Sequence, residues 1–111
     1  MLKIRPEQQK TFDDIAYEKF VVETAAKLKM AIPDYTVNLT EEELKAKVML
    51  GIESAECYEI VNNYDIRRYI ETQLQIGGEF HIKEEMQNIL LDNDLDSSIK
   101  MDKIEEYIHF N

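Results

Sequence analysis

Apolar residues recur at helical spacing along most of the chain, while strand-like alternation of apolar and polar residues is weak throughout. Only two Pro and three Gly occur, so few residues break the pattern and the helices should be long. The pattern predicts an all-α fold. We expect one compact bundle of about five helices with short loops, forming a single helical domain over residues 1–111.

The first predicted helix, from Pro6 to Ala31, has two apolar faces. Pro6 suits its first turn, where the missing N–H costs nothing, and Pro33 ends it because the residue before a proline resists the α conformation. A helix that is apolar on two sides is either surrounded by neighbouring helices or shared with a partner. We favour central packing within one small domain, although a homodimer is also open. One face carries Phe12, Ile15 and Ala16, and the nearly opposite face carries Val21, Ala25, Leu28 and Ile32.

The second predicted helix, residues 41–59, follows a loop at 33–39 and starts with a capping box. The Thr40 hydroxyl can accept from the N–H of Glu43, whose carboxylate can reach back to the Thr40 N–H. A glycine inside a helix costs about 1 kcal/mol relative to Ala, so Gly51 on the apolar face indicates the close approach of another helix. Cys57 lies off this face and is predicted to be a semi-buried structural thiol. The expected core-facing residues are Leu44, Val48, Gly51, Ile52, Ala55 and Tyr58.

Three shorter helices are predicted in the second half of the chain. Asn62 or Asn63 caps a helix over 64–76, which Gly77 and Gly78 end. Two more helices cover residues 82–91 and 98–109, and an acidic turn at 92–96 caps the last one. The expected core-facing residues are Ile66, Tyr69, Ile70 and Leu74 in the third helix, Ile82, Met86, Ile89 and Leu90 in the fourth, and Met101, Ile104 and Ile108 in the fifth.

The chain has a net charge of −10, and this charge is unevenly distributed. Residues 1–31 carry a net charge of +1, residues 32–76 carry −5 and residues 77–111 carry −6. A polyanionic surface repels phosphate, which disfavours direct binding to nucleic acid and to anionic membranes. A basic protein partner would be favoured, with faster association at low salt.

The distribution of apolar residues also bears on localisation. No apolar stretch approaches the roughly 20 residues that a membrane-spanning helix needs, and the first ten residues lack the apolar segment of a signal peptide. A single cysteine, Cys57, cannot form an intramolecular disulfide. We therefore expect a cytoplasmic protein.

The sequence has no recognisable catalytic, cofactor-binding or metal-binding motif, so we expect a non-enzymatic protein without a cofactor. The acidic turn at 92–96 begins like a calcium-binding loop. Position six of that loop is Ser97 instead of Gly, and position twelve is Lys103 instead of a bidentate Glu. The two histidines, His81 and His109, are isolated and give no zinc-site spacing.

Candidate partner contacts are an aromatic residue, two adjacent arginines and four acids. Arg67 and Arg68 lie near the start of the third helix, close to the positive end of its dipole. The favoured interpretation is a salt bridge to Asp65 or Glu71. The alternative is contact with a partner, since Arg and Tyr are enriched at interface hot spots. The full set of partner-binding candidates is Tyr64, Arg67, Arg68, Glu84, Glu85, Asp92 and Asp94.

Several short motifs span most of the chain. They are Ile4-Arg5-Pro6-Glu7-Gln8, Phe20, Gly51-Ile52-Glu53, Ala55, Tyr58-Glu59-Ile60, Asp65, Tyr69-Ile70, Gly77 and Phe80. With these motifs the chain resembles a family of small all-helical bacterial proteins encoded beside type VI secretion spike, PAAR-like and effector genes. Family members usually have glycine at the position of Glu59. The resemblance implies a non-enzymatic accessory role as a chaperone, adaptor or immunity protein, and it implies no mechanism.

The resemblance, the charge distribution and the motif survey lead to one expected function and one alternative. We expect an acidic accessory protein that binds a protein partner, either a secretion effector or a spike component. The alternative is an acidic inhibitor that mimics nucleic acid and blocks the groove of a basic enzyme. A small enzyme is the least favoured hypothesis, because no set of converging titratable groups stands out.

Overall fold

The structure, a computed structural model, describes the backbone of residues 10–77 and 79–110 and the side chains of residues 15–77 and 79–109. These residues form helices and turns without any strand, which confirms the all-α fold and the helical bundle. The elements are α1 Lys10–Ala31, α2 Pro33–Thr36, α3 Glu41–Cys57, α4 Asn63–Ile76, a 3-10 helix Phe80–Ile82, α5 Glu84–Leu90 and α6 Ser97–Phe110.

The break between α1 and α2 lies at the residue before Pro33, as predicted. Ile32 has φ −134° and ψ 64°, outside the helical region. The predicted loop at 33–39 is wrong over its first four residues, because Pro33 also starts the short helix α2. Proline fits this first helical position well, since its missing N–H would be unpaired there anyway. The predicted start of the first helix at Pro6 lies outside the described residues.

The ends of α3 and α4 follow from local hydrogen bonds. Glu43 N donates to Thr40 Oγ1 at 3.0 Å, and Thr40 N donates to Glu43 Oε1 at 2.9 Å, so the capping box is confirmed. The Asn62 side chain caps α4 by accepting from two backbone N–H groups. Gly77 ends α4 with φ 119°, a conformation that favours glycine. Each of these ends was predictable because the interacting residues are neighbours in sequence.

Helices α3 and α4 approach each other closely at Gly51. A Cβ atom added at Gly51 would lie 2.5 Å from Cγ1 of Ile70 and 2.8 Å from Oε1 of Gln73. The predicted close approach at this glycine is confirmed, because any larger residue would push the two helices apart.

The core lies between α1, α3, α4, α5 and α6, and most of the predicted apolar faces point into it. One exception is Ile82, which is 61% exposed because it belongs to the 3-10 helix and α5 starts only at Glu84. Cys57 is also exposed instead of semi-buried, since it lies in the last turn of α3 away from the core face. The buried apolar residues include Val21, Ala25, Leu28, Leu44, Val48, Ile52, Ala55, Ile66, Tyr69, Ile70, Phe80, Met86, Leu90, Met101 and Ile104.

Only one of the two predicted apolar faces of α1 is in the core. Val21, Ala25 and Leu28 are almost fully buried, whereas Ile15 is 64% exposed. Ala16 is exposed as well, and the side chain of Phe12 lies outside the described part of the chain. The prediction that α1 packs centrally within the domain is therefore confirmed only for the face that carries Val21, Ala25 and Leu28. Among the described helices, none has both the length and the apolar character that crossing a bilayer requires.

Candidate functional site

Near the start of α4, Arg67 and Arg68 lie against the aromatic ring of Tyr64. All three are predicted contact residues. Tyr64 is 59% exposed, and Arg67 and Arg68 follow it at helical spacings of three and four. The guanidinium carbons of Arg67 and Arg68 lie 5.2 and 5.5 Å from the centroid of the Tyr64 ring. Two cation–π contacts of this length hold the ring in place on the surface.

Arg68 is committed to an ion network that joins α4 to α6. Its Nη1 donates to Asp65 at 3.0 Å, its Nη2 donates to Asp102 at 2.6 Å, and its Nε and Nη2 donate to Glu105 at 3.0 and 2.8 Å. These hydrogen bonds, with that to Glu105 the strongest, raise the pKa of Arg68 above its ordinary value. The salt bridge predicted to Asp65 is confirmed. A direct contact between Arg68 and a partner stays a prediction.

Asp65 is the buried centre of this network. It has no exposed surface, and its Oδ2 accepts hydrogen bonds from the hydroxyls of Ser97 at 3.1 Å and Ser98 at 2.8 Å. Its other oxygen accepts from Arg68. A buried carboxylate needs such partners to offset its lost hydration. Asp65 therefore fixes the start of α6 against the start of α4.

Arg67 forms the ion pair predicted with Glu71, although the contact is not a hydrogen bond. Arg67 Nε lies 3.4 Å from Glu71 Oε2, and this buried Nε has no hydrogen-bond partner. Burial raises the pKa of Glu71 despite the opposing charge of Arg67. Arg67 thus has one buried donor that no described residue satisfies with a hydrogen bond.

A groove of about 260 Å³ runs between α1 and the start of α4. Thr24 is almost fully buried in it, and Phe20 is half-buried against the core. Lys27 and Arg67 contribute positive charge, and Tyr64 contributes an exposed aromatic ring. The residues that line the groove are Phe20, Glu23, Thr24, Lys27, Asn63, Tyr64 and Arg67.

The groove combines two predicted contact residues with a helix flank that sequence reasoning missed. Tyr64 and Arg67 were candidates, but the α1 residues were not. Phe20, Glu23 and Lys27 have the spacing of one flank of a helix, which is a signal in the sequence. Nothing in the sequence shows that this flank lies beside α4, because that depends on how the two helices pack.

The four predicted acidic contacts lie elsewhere on the surface. Glu84 and Glu85 occupy the exposed first turn of α5, and Asp92 and Asp94 lie in the exposed turn before α6. Asp92 Oδ1 accepts from the N–H of Asp94 at 2.9 Å, which stabilises that turn. None of the four lines the groove. The structure thus separates an acidic surface from the groove of mixed charge.

The predicted cap of the last helix is also present in this turn. Asp96 Oδ1 accepts from the N–H of Ile99 at 2.9 Å, at the start of α6. A carboxylate at this place satisfies a backbone donor that would otherwise lack an intrahelical partner. The interpretation of residues 92–96 as an acidic turn that caps the helix is confirmed.

A second polar cluster joins α3, the 3-10 helix and α5. Gln87 Nε2 donates to the Tyr58 hydroxyl at 2.9 Å and to the carbonyl of His81 at 2.7 Å. The Tyr58 hydroxyl also lies within hydrogen-bond distance of His81 Nδ1, at 3.2 Å. His81, isolated in sequence, thus takes part in packing the 3-10 helix onto the bundle.

The hydroxyl of Tyr69 pairs with Ser54 inside the bundle. The two oxygens lie 2.6 Å apart, and burial raises the pKa of Tyr69. The prediction that Tyr69 belongs to the core is confirmed.

Over residues 15–77 and 79–109, no group of three or more His, Cys, Asp or Glu side chains is arranged to hold a metal ion. No protein-family model, curated protein or solved structure matches this chain.

Proposed function

We propose that this protein is a cytoplasmic, non-enzymatic accessory protein of a bacterial type VI secretion locus, where it binds an effector or spike component as a chaperone, adaptor or immunity protein. The resemblance of the sequence motifs supports the secretion context. The observation that carries the binding role is the groove between α1 and α4 with Tyr64 and Arg67 at its edge.

The groove has the composition of a contact site for a protein. Tyrosine and arginine are the residue types most enriched at interface hot spots. Tyr64 is exposed, yet its ring is held by Arg67 and Arg68, so little side-chain entropy is lost on binding. The guanidinium of Arg67 lines the groove, and Lys27 adds a second cation. A partner that inserts a carboxylate or carbonyl oxygen beside an apolar side chain fits this groove.

The acidic surface supplies the long-range attraction. Glu84, Glu85, Asp92 and Asp94 are exposed, and none of them forms an ion pair with another described residue. Unpaired charges at a rim mainly accelerate association and weaken with salt. A partner with a basic region would therefore meet this surface first and then occupy the groove.

The test is affinity capture of the tagged protein from its own cells at low and high salt, with identification by mass spectrometry. We expect a secretion effector or spike protein with the wild type, and its loss with Tyr64→Ala and with Arg67→Ala. Tyr35→Ala is the matched control, because Tyr35 is 49% exposed on α2 and lies outside the groove. Failure to recover any such protein, or equal recovery with all three variants, would contradict the proposal.

The exposed carboxylates favour a second function, inhibition of a basic enzyme by mimicry of nucleic acid. The −6 charge of residues 77–111 motivates it. The two functions predict opposite variant patterns. Under mimicry, replacing Glu84, Glu85, Asp92 and Asp94 by their amides abolishes binding, whereas Tyr64→Ala has little effect. Recovery of a nucleic-acid enzyme with that pattern would put mimicry first.

A further inference from the structure

The groove between α1 and α4 gathers positive charge in a strongly acidic chain. Lys27 lies on its α1 wall and Arg67 on its α4 wall, and Glu23 is the one acidic side chain in the lining. Two cations and one anion give the groove a net charge of +1, whereas the whole chain carries −10. Asn63, the first residue of α4, also lines the groove, so the positive end of the helix dipole adds to the attraction for an anion.

Neither cation of the groove is held by a strong ion pair within the described residues. Lys27 pairs with no described carboxylate, although Glu23 lies four residues before it on α1. The ion pair of Arg67 with Glu71 is long, at 3.4 Å, and the Arg67 Nε makes no hydrogen bond in it. Arg68, by contrast, donates hydrogen bonds to three carboxylates. Lys27 and Arg67 can therefore both take part in binding an external carboxylate.

The floor of the groove adds a hydroxyl group. Thr24 is 3% exposed, and its hydroxyl has no hydrogen-bond partner among the described residues. The hydroxyls of Thr36 and Thr72, which are buried to a similar degree, each donate to a backbone carbonyl one turn earlier. Because Thr24 lines the groove, its hydroxyl can donate to an acceptor that enters there.

The size of the groove favours a protein side chain over a cofactor. Its volume of about 260 Å³ lies below the roughly 300–1,000 Å³ that is usual for small-molecule and cofactor sites. A nucleic-acid phosphate is disfavoured as the occupant, because the surrounding chain is polyanionic. The occupant that fits both the size and the charge is a carboxylate on a short aliphatic stem.

We propose that the groove binds the side-chain carboxylate of an aspartate or glutamate of the partner, in competition with Glu71 for the guanidinium of Arg67. This inference rests on the proposed function and adds the chemistry of the residue that the groove recognises. The carboxylate accepts from the Arg67 guanidinium, the Lys27 ammonium and the Thr24 hydroxyl, and hydrogen bonds from charged donors are the strong ones. Phe20 packs against the aliphatic stem.

Glu71 acts in this site as a positioning residue. It lies one turn after Arg67 on α4, and its side chain is 23% exposed. Arg68 and Arg67 act on it with positive charge, and Glu105 of α6 acts on it with negative charge. A second carboxylate on Arg67 would repel Glu71, so removal of the Glu71 charge should tighten binding. A change that merely damaged the structure would weaken binding instead.

The groove and the acidic surface therefore recognise opposite charges. A partner that satisfies both presents an acidic residue to Arg67 and a basic region to the surface around Glu84 and Asp92. Complementary charge at two separate places fixes the orientation of a partner and rejects proteins that carry only one sign of charge.

The experiment is an NMR titration of the full chain with two probe peptides. One is a blocked tripeptide with a glutamate between two leucines, and the other has glutamine in its place, so the two differ only in one charge. We expect the glutamate peptide to shift the backbone signals of Thr24, Lys27 and Arg67 in a saturable way. It should bind about tenfold more tightly than the glutamine peptide.

Variants assign this preference to the groove. Arg67→Gln should weaken binding of the glutamate peptide about tenfold and Lys27→Gln about threefold, whereas Glu71→Gln should tighten it about twofold, as expected for the loss of a weak ion pair. The matched controls are Lys103→Gln and Glu53→Gln, which change exposed residues outside the groove. The dispersion of the NMR signals shows whether each variant is folded.

Three results would overturn the inference. The first is equal behaviour of the two peptides, including the absence of saturable shifts with both. The second is an Arg67→Gln variant that binds the glutamate peptide as well as Lys103→Gln does. The third is a Glu71→Gln variant that binds no more tightly than the wild type, which would refute the competition.

Partner capture keeps this inference separate from the proposed function. Capture of a secretion protein together with equal binding of the two peptides would support the proposed function and refute the carboxylate site. A glutamate preference that depends on Arg67, without capture of any such protein, would support the carboxylate site and refute the proposed function.

Discussion

Arg68 Nη1 lies 3.0 Å from Oδ1 of Asp65, a carboxylate with no exposed surface. The pair belongs to α4, yet the other oxygen of Asp65 accepts from two serines of α6. Arg68 also reaches two α6 carboxylates, Asp102 and Glu105. A local pair within one helix is thereby turned into the polar connection between two helices.

Removing the buried carboxylate should be one of the most damaging changes in this protein. Asp65→Ala leaves two serine hydroxyls and one guanidinium donor without their acceptor, and we expect a loss of about 3–5 kcal/mol in the free energy of unfolding. Chemical denaturation followed by circular dichroism measures it. Glu106→Ala, which removes an exposed carboxylate of α6, is the control and should change the free energy by no more than about 0.5 kcal/mol. Equal effects would show that the network contributes no stability.

Gly51→Ala should destabilise the protein although alanine is the better helix former. The new Cβ would lie 2.5 Å from Ile70 Cγ1, closer than two carbon atoms tolerate. We expect a net loss of about 1–2 kcal/mol, because overpacking outweighs a propensity gain of about 1 kcal/mol. Thermal unfolding provides the measurement. In an Ile70→Ala background, which removes the clashing atom, the same change should cost less, and strictly additive effects would refute this explanation.

Glu59→Gly should stabilise the protein. Glu59 is the one described non-glycine residue with positive φ, at 61°, and it follows the C-terminus of α3. Glycine adopts this left-handed conformation without the steric penalty of about 1–2 kcal/mol that other residues have there. The greater conformational entropy of glycine in the unfolded chain offsets part of this gain. We expect a gain of about 0.5–1 kcal/mol in the free energy of unfolding.

The control for this prediction is Glu59→Ala, which removes the negative charge near the C-terminus of α3 and keeps the strained backbone. Both variants are compared by urea unfolding. If alanine stabilised as much as glycine, the gain would come from the helix dipole and the backbone argument would fail.

Ionisation of Glu71 should lower the free energy of unfolding as pH rises. Burial raises the pKa of Glu71 in the folded state above its ordinary value of 4.5. Between the unfolded and folded pKa values the folded state binds more protons than the unfolded state, so stability decreases with rising pH across that window. Glu71→Gln should remove this contribution, which is read from free energies of unfolding measured from pH 4 upward.

The comparison variant for Glu71 is Glu53→Gln, which changes an exposed glutamate of α3. It should leave the pH dependence of stability near that of the wild type. A Glu71→Gln curve parallel to both would show that the folded pKa of Glu71 is not raised.

The sequence by itself determined the helical class and most helix ends of this protein. The capping box of Thr40 and Glu43, the Asn62 cap, the break before Pro33 and the stop at Gly77 are interactions between residues at most four positions apart. Helical spacing also placed most core residues, because a helix buries one face wherever it packs. The secretion context stays a prediction.

Only the tertiary structure decided which helix faces meet. Asp102 and Glu105 lie 34 and 37 positions from Arg68, and no local pattern links them to it. The groove exists because one flank of α1 lies beside the start of α4. Ile15, Val22 and Met30 are exposed because the bundle covers only one side of α1. The exposure of Ile82 likewise depends on the 3-10 helix that precedes α5. Helix periodicity is a local property, whereas the pairing of faces is a balance of packing and charge over the whole chain.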